Sequence, residues 1–112
     1  MSKFDEKMQI YKDAVAELKL SIGDDLLRGV AKSLGPSIYL GDASMVSGSD
    51  KAELDRVKNK FLIGKLGLAD SPELDAAVEE AVNAMGKGNR SKHRAIVYAL
   101  LAKKFKKEDM FK

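Results

Sequence analysis

Positive charge is concentrated in the stretch MGKGNRSKHRA, residues 85–95 of a 112-residue chain. Its Gly and Asn residues predict a turn, and the residues that follow predict the start of a helix. A helix N-terminus already carries about half a positive charge and points free N–H groups outward, so it attracts anions. The stretch adds five candidate anion-binding side chains: Lys87, Arg90, Lys92, His93 and Arg94.

These residue types predict a site for a phosphate or carboxylate group. Arg side chains hold two oxygens at once, and Gly86 and Gly88 let a ligand approach the backbone closely. The spacing in GKGNRSK differs from that of a Walker phosphate loop, and it follows a predicted helix rather than a strand. His93 has no acid beside it in the sequence. It is therefore predicted to contact phosphate or to be exposed, and not to act as a general base.

The same charges also have a purely structural explanation. The predicted helix before the turn carries four acids and no cation, and a short turn makes the two helices antiparallel neighbours. Exposed ion pairs between them would contribute only about 0–1 kcal/mol each. The pairs expected are Arg94 with Glu79 or Glu80, and Lys103 and Lys104 with Glu73 and Asp75. Both explanations stay open on the sequence alone.

The net charge of +3 hides a division along the chain. Residues 1–80 carry 11 Lys and Arg against 15 Asp and Glu, whereas residues 81–107 carry eight Lys and Arg and no acid. Four acids cannot neutralise eight cations on two helix faces, and Lys92, Lys103 and Lys106 form a stripe predicted to face outward. We therefore expect a small binding or interaction module whose partner is anionic, either an acidic protein or nucleic acid.

The nucleic-acid alternative is supported by an isoelectric point of about 9.1. No RNA-recognition aromatic pattern, zinc knuckle or helix-turn-helix pattern accompanies the charge, so such binding would be weak and independent of sequence. Tyr98 and Phe105 lie on the apolar face of the last predicted helix and are expected in the core rather than stacked on bases.

Enzymatic and metal-dependent functions find little support in the residue types. The chain has no Cys and a single His, and its Ser residues lack a nucleophile motif, so we expect no catalytic residue, metal or cofactor. The loop YLGDASMVSGSD has too few carboxylates for a calcium site. No apolar run approaches about 18 residues, and the amphipathic N-terminus does not resemble a secretory signal. These features predict a cytoplasmic protein without membrane association.

Five helices in one all-α compact domain, residues 1–112, are expected to position the basic residues. The first runs from a Ser2 cap to Gly23 on a stripe with helical spacing. The second starts at Asp24 as N-cap and ends at Gly35. A long ordered loop follows, which Ile38, Tyr39, Met45 and Val46 are predicted to fix onto the core. The stripe of the first helix consists of Phe4, Met8, Tyr11, Val15, Leu18 and Ile22.

The remaining three helices follow the loop. The third begins at Ser49 or Asp50, where Asp50 and Glu53 have capping-box spacing. The fourth begins with Ser71 as cap and Pro72 in the first position. The fifth, about residues 91–107, has the widest apolar face and is predicted to be central. The predicted inner faces comprise Leu54, Val57, Phe61 and Leu62; Leu74, Val78, Ala81 and Met85; and Ile96, Val97, Tyr98, Leu100, Leu101 and Phe105.

Three stretches together resemble a family of small bacterial proteins classed as a domain of unknown function. They are GVAKSLGPSIY, DRVKNKFLIGKLGL and MGKGNRSKHRAIVYALLAKKF. Their order and spacing extend the resemblance over nearly the whole chain. The resemblance implies a compact, mainly helical domain of about this size, and it implies no activity, cofactor or catalytic residue.

Overall fold

The computed structural model describes residues 3–39, 45–46, 50–86 and 92–111. Within these ranges the regular structure is helical, and one isolated antiparallel bridge joins Met45 to His93. The predicted all-α class is confirmed. The α-helices are α1 (Lys3–Glu17), α2 (Asp24–Leu34), α3 (Lys51–Arg56), α4 (Pro72–Ala84) and α5 (Arg94–Lys104).

Helix α1 ends six residues before the predicted stop at Gly23. Its last residue is Glu17, and Lys19 adopts a left-handed conformation with φ of 57°. The amide of Leu20 then donates to the carbonyl of Val15, which closes the helix end. Ile22 still packs in the core, so the apolar spacing identified a buried residue but not the helix boundary.

Helix α2 follows the predicted bounds, although Gly23 and not Asp24 occupies the N-cap position. Gly35 ends the helix with φ of 63°, a conformation that favours glycine. The chain continues into a 3₁₀ helix, Gly35–Tyr39. In the predicted long loop, Ile38 and Val46 are buried as expected, whereas Tyr39 is exposed; residues 40–44 and 47–49 lie outside the described ranges.

The predicted third helix divides into two kinds of helix. Asp50 caps α3 as expected, because its carboxylate accepts a hydrogen bond from the Ala52 amide at 3.0 Å. The chain then continues as a nine-residue π-helix, Val57–Lys65, whose turns are wider than those of an α-helix. Helices with i→i+5 hydrogen bonds are rare and usually a single turn long. The π-helix keeps Phe61 and Leu62 in the core, as the sequence predicts.

Helix α5 lies at the centre of the core, and α2 and α4 both pack against it. Ser71 and Pro72 begin α4 as predicted, and its buried residues include Leu74, Val78 and Ala81. Helix α5 is shorter than predicted but buries seven of its eleven residues, from Ala95 to Ala102. It contacts α1, α2, α4 and the 3₁₀ helix Glu108–Phe111, which forms the C-terminal turn. The prediction that the last helix is central is confirmed.

A C-terminal 3₁₀ helix, Glu108–Phe111, completes the core and was not predicted. Phe111 is buried and lies 6.0 Å from the Phe61 ring, between ring centroids. Its backbone packs so closely on α2 that a Cβ atom at Gly29 would lie 1.8 Å from the Phe111 carbonyl oxygen. Gly29 is therefore required by close packing.

Candidate anion-binding surface

The basic stretch at the start of α5 does not present its described side chains to solvent. Lys92 and His93 are each 7% exposed, and the side chain of Arg94 is 13% exposed. The prediction that Lys92 faces outward is wrong, because Lys92 is buried. Its backbone carbonyl accepts a hydrogen bond from the Val46 amide at 2.8 Å. Lys87 and Arg90 lie outside the described residues, so their role in anion binding stays a prediction.

Arg94 is held by Glu53 of α3. One guanidinium nitrogen forms a salt bridge with the Glu53 carboxylate and also donates to the Met45 carbonyl at 3.2 Å, and the other donates to Tyr98 Oη at 3.0 Å. Burial alone lowers the pKa of Arg94, but Tyr98 and Glu53 outweigh burial and hold that pKa above its ordinary value. Arg94 is therefore charged, and a carboxylate within the fold balances that charge.

Glu53 has a different role from the one its spacing predicted. The capping-box pattern places its carboxylate at the backbone of Asp50, yet Glu53 is buried and contacts two guanidinium groups. Besides Arg94, it accepts from Arg56 at 2.7 Å. The expected pairing of Arg94 with Glu79 or Glu80 is wrong for the same reason: Arg94 turns toward α3, across the bridge at residue 45, and not toward α4.

The lysines at the end of α5 also differ from the prediction. Lys104 pairs with Glu80 at 3.1 Å, and the Lys103 ammonium donates to the Ser21 carbonyl rather than to an acid of α4. Asp75 instead pairs with Lys58 of the π-helix at 3.1 Å. The acids of α4 thus neutralise cations of two different elements.

His93 is buried against Tyr11 of α1, with the two rings in an edge-to-face arrangement 5.3 Å apart. The expectation that His93 is exposed is wrong, because the residue is 7% exposed, and its contact with phosphate stays a prediction. Burial lowers its pKa, and the charge of Lys7 acts in the same direction. Burial raises the pKa of Tyr11 to about 12, with Tyr39 adding to the rise. Among the described residues, no group accepts from or donates to Tyr11 Oη or His93 Nδ1.

A different set of cations faces solvent, along a groove between α2, the π-helix and the C-terminal turn. The groove has a volume of about 800 Å³. Its cations are Arg28, Lys32 and Lys65, with Asp25 as the one acid among its described lining residues. None of the three cations forms a salt bridge with another described residue. The Arg28 guanidinium lies over the Phe4 ring and the Lys65 ammonium over the Phe111 ring, at 5.4 and 6.0 Å.

An apolar pocket of about 180 Å³ adjoins this basic groove. Ser33 and Lys65 line both spaces, and Lys60 adds another exposed cation without a salt bridge to a described residue. Phe61 and Tyr98 stack at 4.0 Å between ring centroids and form part of the wall. The apolar lining consists of Val30, Leu34, Phe61 and Tyr98.

Sequence reasoning did not identify this surface. Arg28 and Lys32 are four residues apart in a helix, which places them on the same face. This spacing could have indicated a pair of neighbouring cations on α2. The spacing of Lys60 and Lys65 gave no such indication. In an α-helix, two side chains five residues apart point about 140° away from each other. The π-helix has a wider turn and brings both to one pocket.

Comparison with known protein families decides what this chain is related to. Residues 10–109 match the family described as "Protein of unknown function (DUF2853)". The chain belongs to this family. The match spans nearly the whole chain and confirms the resemblance to a family of unknown function that the sequence indicated. The curated proteins include no match to the chain.

The described residues include neither a membrane-spanning helix nor a cluster of metal ligands. No helix there is both long enough and apolar enough to cross a membrane. No group of three or more His, Asp or Glu side chains in those ranges is arranged to hold a metal ion.

Proposed function

We propose that this protein is a small non-enzymatic binding module that uses the basic groove to bind an acidic segment of a protein partner. The observation that supports this function is the exposure of Arg28, Lys32, Lys60 and Lys65 around connected cavities without salt bridges to described residues. Cations in such a position attract anions over several ångströms and favour partners of opposite charge.

The proposed binding surface is the groove, whereas the sequence predicted a basic surface at the start of α5. At the start of α5, Lys92 is buried and Arg94 is already paired with Glu53. In the groove, a cation that loses its water to pair with a partner carboxylate does not break a salt bridge with any described residue. Binding there therefore exchanges water for a carboxylate without dismantling the fold.

A weak nucleic-acid binder is the alternative, and the aromatic rings disfavour it. Single-stranded nucleic acids are bound by stacking bases on exposed aromatic side chains. Phe61, Tyr98 and Phe111 are all buried, and Phe61 stacks with both of the other rings. The groove therefore offers exposed cations to phosphates, whereas these three aromatic side chains are too buried to serve as a platform for stacked bases.

We place this activity in the bacterial cytoplasm. A chain without Cys suits a reducing compartment, and the three quoted stretches resemble small bacterial proteins. The test is detection of the tagged protein in the soluble fraction of its native cells. Recovery from the periplasmic or membrane fraction would contradict the location without affecting the groove.

The binding test compares fluorescence anisotropy of a labelled Glu-rich peptide and of labelled single-stranded RNA and duplex DNA. We expect the peptide to bind, and binding to weaken as salt increases. The variant Lys32→Gln/Lys60→Gln is expected to bind about tenfold more weakly, since two exposed ion pairs contribute up to about 1 kcal/mol each. Lys51→Gln/Lys106→Gln removes the same charge from exposed sites outside the groove and should leave binding unchanged.

Two results would contradict the proposed function. One is an absence of binding to the acidic peptide at low salt. The other is equal loss of binding in both double variants, which would show that net charge and not the groove attracts the peptide. Binding of RNA or DNA in preference to the peptide would favour the nucleic-acid alternative instead.

A further inference from the structure

The apolar pocket beside the basic groove adds a second kind of recognition to the proposed function. Its volume of about 180 Å³ is close to that of an apolar cavity of roughly 150 Å³ that holds a benzene ring. It is lined by aliphatic and aromatic side chains from α2, the π-helix and α5, and it opens among cations. A pocket of this size suits one large apolar side chain.

We infer that the partner is an acidic peptide segment carrying one large apolar residue, such as Phe or Leu, which enters this pocket while neighbouring carboxylates contact Lys60, Lys65, Arg28 and Lys32. This inference rests on the proposed function and specifies the partner of the same site. Charge complementarity selects the occupant, because a neutral apolar segment would leave the surrounding cations unpaired and partly desolvated.

The two cavities adjoin, so one short segment of the partner can occupy both. Ser33 and Lys65 line both spaces, so the apolar residue and the carboxylates belong to one short segment. Met110, which is 46% exposed, and Phe111 extend an apolar edge along the basic groove. The cations Arg28 and Lys32 lie one helical turn apart on α2 and can contact carboxylates on the same side of that segment.

A second copy of this chain is a poorer occupant. Its most acidic helix, α4, has Glu73, Asp75, Glu79 and Glu80 on its exposed surface. The large apolar residues of α4, Leu74, Val78 and Val82, are buried in the protein's own core. Helix α4 therefore supplies carboxylates without the apolar side chain that the pocket would accept.

The test measures anisotropy of two labelled peptides that differ at one position, an acidic octapeptide with a central Phe and the same peptide with Ser in its place. We expect the Phe peptide to bind the unmodified protein at least about tenfold more tightly, from burial of one aromatic side chain. This comparison needs no variant, so it does not depend on the folding of a mutant.

A pocket-filling variant, Ser33→Phe, tests where the apolar residue enters. Ser33 is exposed and lies between the two cavities, so a larger side chain there can occupy the pocket without removing a cation. We expect the variant to lose the preference for Phe over Ser while retaining the affinity for the Ser peptide. Ala76→Phe, at an exposed position of α4, is the matched control and should keep the preference.

The possible results separate the two proposals. If both peptides bind the unmodified protein equally, the inference of an apolar anchor is overturned and the proposed function stands. If neither binds, the proposed function fails as well. Displacement of the Phe peptide by RNA, or dimerisation of the protein that blocks the peptide in sedimentation measurements, would overturn the inference by assigning the site to another occupant.

Discussion

The start of α5 and the groove along α2 are both rich in cations, but the fold treats them in opposite ways. At the start of α5, Lys92 is buried and Arg94 is paired with Glu53. Along the groove, Arg28 and Lys32 are exposed and form no salt bridge with a described residue. In the denser cluster of the sequence, the described cations Lys92 and Arg94 thus pack within the fold, whereas the cations of the sparser cluster are exposed and form the surface we propose for a partner. The comparison teaches that the local density of charge in a sequence does not show which cations the fold leaves exposed.

The largest effect should follow from breaking the buried ion pair. Glu53→Ala leaves the Arg94 guanidinium buried without its carboxylate, and removal of one partner of a buried pair costs about 3–5 kcal/mol. Urea unfolding followed by circular dichroism measures this loss. Glu80→Ala is the control, because its pair with Lys104 is exposed and contributes about 0–1 kcal/mol. Equal losses of unfolding free energy in the two variants would mean that the Arg94–Glu53 pair stabilises the fold no more than an exposed pair does.

The second effect concerns packing beside the groove. Gly29→Ala adds a Cβ atom where the Phe111 backbone lies, so the C-terminal 3₁₀ helix must move away from α2. Overpacking of this kind destabilises by about 1–3 kcal/mol. The same urea measurement applies, with Gly23→Ala as control because a Cβ at that position meets no atom within 4 Å. Unchanged stability in Gly29→Ala would show that the close contact with Phe111 is dispensable.

A smaller effect is expected from titration of His93. Its pKa in the folded protein lies below the ordinary 6.5, because it is buried and near Lys7. The unfolded chain therefore binds the proton more tightly, so this contribution to the free energy of unfolding is fully present above pH 6.5 and decreases as pH falls below it. His93→Asn should remove that part of the pH dependence in urea titrations between about pH 7 and pH 5. An identical pH dependence in the variant would contradict the buried neutral His93.

The smallest effect on stability should come from the groove cations. Lys32→Gln/Lys60→Gln replaces exposed lysines without salt bridges to described residues, and such surface substitutions usually change stability by at most about 0.5 kcal/mol. Thermal unfolding should give the same midpoint as Lys51→Gln/Lys106→Gln. A clear loss of stability in the groove variant would show that these cations support the fold, and the distinction between the two regions would fail.

Much of the fold could be predicted because it depends on local spacing. The apolar stripes identified Met8, Tyr11 and the buried faces of α4 and α5, and Gly35 and Pro72 marked helix ends through backbone conformation. Less of the site could be predicted, since Arg94 finds Glu53 41 residues away in the chain. Spacing between neighbouring residues contains no information on a contact of that separation.

The sequence by itself determined the helical class, the central position of the last helix and the excess of positive charge. Each follows from periodicity or composition, which act over a few residues or over the whole chain. Tertiary structure alone decided which cations are buried, because a buried Arg must find a carboxylate wherever the packed helices bring one. It also decided that Lys60 and Lys65 share a pocket, since the π-helix that joins them is uncommon and its residues have no pattern that distinguishes them from an ordinary helix.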